Sequence, residues 1–168
     1  MSFSPLRQTV NEAKAWQKVA EQIKRTENSS LNANLKEILQ TVKHNESTIA
    51  FRQLAQKFNH NSNGKNWLIG RALLFAAIAY ISAAKIALTN GKKEDAKQFC
   101  LYAAENFAKA SQHLPSWERK SVIRWSSQLK QIAVKLEAEP FYALTHLKAL
   151  AIKAKSHAKF VPPVRQGR

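Results

Sequence analysis

Lys148, Lys155 and Lys159 recur at steps of seven and four residues, and no aspartate or glutamate occurs from residue 140 to residue 168. On a helix that spacing sets three ammonium groups along one line. A second line, Arg7, Lys14, Lys18 and Arg25, rises at steps of seven, four and seven, with Glu21 as the nearby acid. Residues 47 to 93 are also free of acid and hold seven basic residues, among them Arg52, Lys57, Lys65 and Arg71. Lys120 and Arg124 point outward from a later helix. Cations fixed on rigid helices bind phosphates by point contact and counterion release, giving affinity without base reading. Solvated surfaces usually mix signs. Basic ridges on several helices are the electrostatic footprint of a nucleic-acid binder, and less often of an anionic membrane or acidic protein partner.

Other chemistries lack their residues. Asp95 is the single aspartate, and most of the ten glutamates stand beside Lys or Arg, so the clustered carboxylates of two-metal phosphoryl transfer are missing. There is no H-E-x-x-H, no spaced Cys and His set, no G-x-S-x-G and no Gly-rich phosphate loop. All-helical ribonucleases of the HEPN class carry an Arg and a His a few residues apart on one helix, whereas Arg52 and His60 are eight apart and cross into an expected loop. His44 and His60 lack a spaced partner for metal. The chain reads as non-enzymatic, with no cofactor or metal. Trp16, Trp67 and Trp125 fall on core faces, while Trp117, close to Lys120 and Arg124, is either a stacking platform or a hydrophobic staple.

The elements that must position these groups are helices. Lys and Arg number 27 against 11 Asp and Glu, a net charge of +16, yet 45% of residues are apolar, so the charge belongs to a folded protein and not to a basic tail. With four glycines, five prolines and no two-residue alternation, the expected class is all-α. A single cysteine, Cys100, excludes an internal disulfide, and the opening MSFSPLRQTVNEAKAW turns polar at once, which predicts a cytoplasmic protein.

The segment from Asn66 to Asn90 is apolar on nearly every side, which requires burial and predicts a central helix. Arg71 and Lys85 interrupt it, leaving a run too short for a membrane span. Arg71, Ser82, Lys85 and Thr89 share one narrow arc, a polar stripe that either surfaces between neighbouring helices or forms a ligand site. Around it the periodicity predicts helices over about 5–26, with Ser4 as N-cap, and over 31–42 and 47–58, followed by a polar loop over 59–66. Further helices follow after the Asn90-Gly91 cap, after Ser116 as N-cap, and over about 141–160 beyond Pro140. The expected architecture is a compact bundle of six to seven helices around a central buried helix, one domain over residues 1–160, with a flexible basic tail over 161–168.

In size, charge and helical plan the whole chain resembles the small subunit of CRISPR Cascade-type effector complexes, and equally the helical C-terminal domain of their large subunits, from which type I-D systems make small subunits separately. The family has no short signature, so the resemblance transfers no individual residue. It implies a non-catalytic subunit present in several copies along a backbone of crRNA-binding subunits, its basic face holding target or displaced strand. The alternative is a helical adaptor for an acidic protein: Gly91 and Ala96 are similar to the glycine and alanine of a tetratricopeptide hairpin, although no second copy occurs at a fixed period.

Overall fold

The computed structural model describes residues 4–58 and 62–162. These form seven α-helices, with no strand among the described residues. Helix α1 (Pro5–Arg25) starts under Ser4, whose Oγ accepts the Arg7 backbone N–H at 3.1 Å, and Pro5 occupies the first position, where a missing N–H has no intrahelical consequence. A 3₁₀ turn (Asn28–Ser30) leads to the short α2 (Leu31–Ile38), which tightens into a second 3₁₀ turn (Leu39–Thr41). Asn45 caps α3 (Glu46–Phe58) by accepting from the backbone N–H groups of Ser47 and Thr48 at 2.9 and 3.3 Å. Its Nδ2 also donates to Glu12 Oε1 at 3.0 Å, so the start of α3 is tied to α1.

Helix α4 (Ser62–Thr89) is the axis, as its all-round apolarity requires. It begins four residues before the expected Asn66, so Asn63, Gly64 and Lys65 are helical and not part of a loop. The N–H groups of a first helical turn have no intrahelical partner, so short polar side chains that elsewhere signal a turn are tolerated there. His60 and the rest of residues 59–61 lie outside the described residues. By length and composition α4 could cross a bilayer, but 67% of its most apolar window is buried against the other helices.

Helices α1 and α5 (Lys93–Ser111) flank α4 most extensively, and α3 and α7 (Pro140–Lys159) cover further parts of it. Helix α6 (Ser116–Lys135) packs on α5 and α7. Between α4 and α5 the chain reverses at Gly91, whose φ of 76° only glycine adopts without strain. Gly91 N–H donates to Leu88 O at 3.1 Å and Lys92 N–H to Ala87 O at 2.8 Å, the paired bonds of a Schellman cap. At the other end of α4, a Cβ added to Gly70 would lie 2.6 Å from Leu114 Cδ2, so the α5–α6 turn approaches the α4 backbone as closely as a missing side chain permits.

Two boundaries differ from expectation. Pro115, extended at ψ 158°, takes the cap position of α6 and makes Ser116 the first helical residue. Pro140 stands at the break after α6, as expected, but is itself the first residue of α7, where its fixed φ suits the first turn. Val161, assigned by the sequence to a tail, packs against the core; residues 163–168 lie outside the described residues. Cys100 is fully buried in α5, and burial pushes its thiol up to about 12.

Candidate nucleic-acid interface

The polar stripe of α4 divides into two environments. At its N-terminal end Arg71 is only 1% exposed, which removes it from the set of candidate phosphate contacts. Its Nη1 donates to the carbonyls of Ala158 and Phe160, both at 2.8 Å, which places the guanidinium at the negative end of the α7 dipole. Nη2 lies 3.3 Å from Glu118 Oε1, and Glu118 is itself 0% exposed. Nε and Nη2 make no well-aligned hydrogen bond, so Glu118 holds this edge chiefly by charge. Burial pulls the Arg71 guanidinium below its ordinary value, and Glu118 opposes that shift. Glu118 Oε1 also meets His157 Nε2 at 2.8 Å, and its Oε2 accepts the Trp67 indole N–H at 2.6 Å. Arg71 was legible as a cation; its partners, far away on α6 and α7, were not.

Farther along the stripe the outcome reverses. Lys85 emerges into a groove floored by α4 and walled by α1 and α7. One part, of about 350 Å³, lies between Thr9 and Glu12 on α1 and Ile152 and Lys155 on α7. The other, of about 490 Å³, lies between the start of α1 and Leu144 and Lys148 of α7. Lys85 lines both, so the two recesses adjoin at its side chain, with Lys155 beside the first and Lys148 beside the second. Burial first, and then the charges of Lys148 and Lys155, hold the Lys85 ammonium below its ordinary value. None of these three lysines has an ion pair among the described residues. Glu12, the one acid lining the groove among those residues, is engaged by Asn45. Lys85 is the strained member, half-buried beside two exposed cations, while the Lys155 charge also acts on the Glu46 carboxylate; an anion at Lys85 would relieve the repulsion there.

The remaining candidates are dispersed. Lys159 belongs to the same line as Lys148 and Lys155 but bonds Glu46 Oε2 at 2.9 Å, and the Lys155 charge acts on the same carboxylate, so a line without an acidic neighbour in sequence meets one in space. An acid 113 residues away in sequence arrives by packing of α3 on α7. The ridge of Arg7, Lys14, Lys18 and Arg25 is exposed on α1, on the side away from buried Ala13, Trp16 and Ala20, and so faces away from the groove floor. Arg25 pairs with Glu21 at 3.2 Å. Arg52 and Lys57 are exposed on α3, Lys65 is half-buried in the first turn of α4, and Lys120 and Arg124 are exposed on α6. Lys85, which completes the cluster, was visible only as a member of the stripe; nothing in sequence ties it to Lys148 and Lys155. Trp16 and Trp125 are buried and Trp67 half-buried, as their positions on core faces predict, whereas Trp117 is 55% exposed.

No family model, no curated protein and no solved structure matches this chain.

Proposed function

We propose that this chain is a non-catalytic nucleic-acid-binding subunit that holds a strand by its phosphates in the groove between α1 and α7. The observation that carries the reading is the gathering of Lys85, Lys148 and Lys155 around two adjoining recesses, with no ion pair to any of the three among the described residues. Contacts of this kind are tolerant of sequence, which suits a complex whose specificity comes from guide pairing. The whole-chain resemblance to the small subunit of Cascade-type CRISPR complexes supports placing it among other subunits, in several copies, along crRNA-guided target or displaced strand in the cytoplasm. The adaptor reading predicts a different ligand for the same charge, an acidic protein surface.

Titration of fluorescently labelled single strands and duplexes across a range of salt tests this. Replacing Lys85, Lys148 and Lys155 by Ala should weaken binding uniformly across sequences. Each lost contact should lower the slope of log affinity against log salt by roughly 0.7 for single strands or 0.9 for duplex. If no DNA or RNA binds, alone or within the native assembly, while an acidic protein binds tightly, the adaptor reading replaces this one.

A further inference from the structure

At the opposite end of α4 from Lys85, a cleft of about 500 Å³ opens where α3, the start of α4 and the α5–α6 turn meet. Its volume falls within the usual range of small-ligand sites. Trp117 lines it and is 55% exposed, an unusual setting for the residue type with the largest apolar surface. A hydrophobic staple does not account for it. With Pro115 as the cap, the staple positions of α6 are Leu114 and Arg119, and Trp117 is the second helical residue between them.

Trp117 is nevertheless held in place. The Trp67 ring meets it edge-on, with centroids 6.2 Å apart at 86°, and the His157 ring lies 6.0 Å away. Trp67 is fixed in turn by its 2.6 Å bond to Glu118 and by the Arg71 guanidinium, 5.5 Å from its ring centroid. Buried ion pairs contribute little net stability against their desolvation. Here the Arg71–Glu118–His157 cluster has a second effect, since it fixes an aromatic wall from behind. Among the described residues the cleft lining has no carboxylate, and Lys57, on its α3 side, has no ion pair. Arg119, also in the lining, is occupied with the carbonyls of Ser111 and Leu114 at 3.0 and 2.8 Å.

We propose that this cleft receives a nucleobase of a single-stranded nucleic acid, stacked on Trp117, with Lys57 contacting the adjoining phosphate. The proposal rests on the nucleic-acid reading above and adds to it a second, stacking subsite with a different physical signature. An aromatic face accepts any base, so the subsite requires an unpaired strand but no particular sequence. Duplex, whose bases are stacked on each other, cannot use it.

The test is anisotropy titration of a labelled oligothymidylate, and of the same strand annealed to its complement, with wild type, Trp117→Ala, Trp117→Phe and Lys57→Ala. Trp117→Ala should weaken single-strand binding about tenfold to a hundredfold, the worth of one stacked base. Its salt slope should stay that of wild type, and duplex binding should not change. Trp117→Phe should recover much of the loss, while Lys57→Ala should lower the slope by about 0.7. Ultraviolet cross-linking of wild type to a bromouracil-substituted strand, with the adduct mapped to Trp117, gives the same answer without any variant. Equal single-strand affinity of wild type and Trp117→Ala, or adducts confined to other residues, would overturn the stacking subsite and leave the lysine groove standing. Absence of any strand binding by wild type, both alone and within its native assembly, would overturn both.

Discussion

Arg71 and Lys85 occupy the same arc of the same helix, about four turns apart, yet packing gives them opposite roles. Arg71 is met by a carboxylate and by the carbonyl end of α7, and becomes a buried structural cation. Lys85 is met by Lys148 and Lys155, and has no ion pair among the described residues. The same helix α7 produces both results, with its backbone terminus at one end and its side chains at the other. A cation on a polar stripe is therefore not a site by position; what decides is whether the neighbouring helix brings acid or more base.

The largest effect should come from breaking the compensated end. Glu118→Ala leaves the Arg71 charge buried without its partner and should cost about 3–5 kcal/mol of unfolding free energy, read by denaturant titration. Replacing the pair together, Arg71→Met with Glu118→Leu, should recover most of that loss. A stable single variant would mean that Arg71 is not confined in solution, and the contrast with Lys85 would collapse.

The uncompensated end should respond in the other direction. Because Lys85 has a depressed value when folded, the unfolded chain binds more protons between that value and the ordinary one near 10.5. The wild-type chain should thus gain stability as pH rises through this window, and Lys85→Met should flatten the dependence. At neutral pH that variant should be more stable by about a few tenths of a kcal/mol, the scale of partly exposed sites, while binding strands less well. Denaturation midpoints across pH give the first quantity and anisotropy the second. A variant that is less stable and binds equally would remove Lys85 from the interface.

The smallest effect concerns Lys159. Glu46→Gln removes its partner and should return the third ammonium to the rail, steepening the single-strand salt slope by at most about 0.7. Lys159, by hydrogen bond and charge, holds the exposed Glu46 carboxyl below its ordinary value. That pairing contributes above the ordinary carboxylate range and is lost as pH falls through the lowered value, so the variant and wild type should converge in acid. An unchanged slope at neutral pH would show that Lys159 stands outside the path of the strand.

Local rules made much of the fold legible. Ser4 before Pro5, Gly91 after Asn90 and the all-round apolarity of residues 66–89 each act within a few residues, and each element forms where its rule places it. Rules that admit two readings located ends less well: Asn63, Gly64 and Lys65 suit a loop or a first helical turn, and in the structure they form the turn. The candidate site was legible as composition and not as geometry. Lys148 and Lys155 follow from helical spacing, but Glu118 beside Arg71, Glu46 beside Lys159 and Lys85 beside α7 are decided by which helices touch. Periodicity marks an inward face without saying what it will face.

Cys100 supplies the molecule with a chemical clock. The chain has one thiol, and the thiolate is the form that reacts. Enclosed in α5 and pushed up to about 12, that sulfur is silent while the helices stay together. Alkylation at Cys100 consequently counts openings of the bundle. Since no second sulfhydryl competes, a cysteine introduced on the exposed rim of the groove would be labelled alone in the closed state, and the two rates would separate access to the surface from breathing of the core.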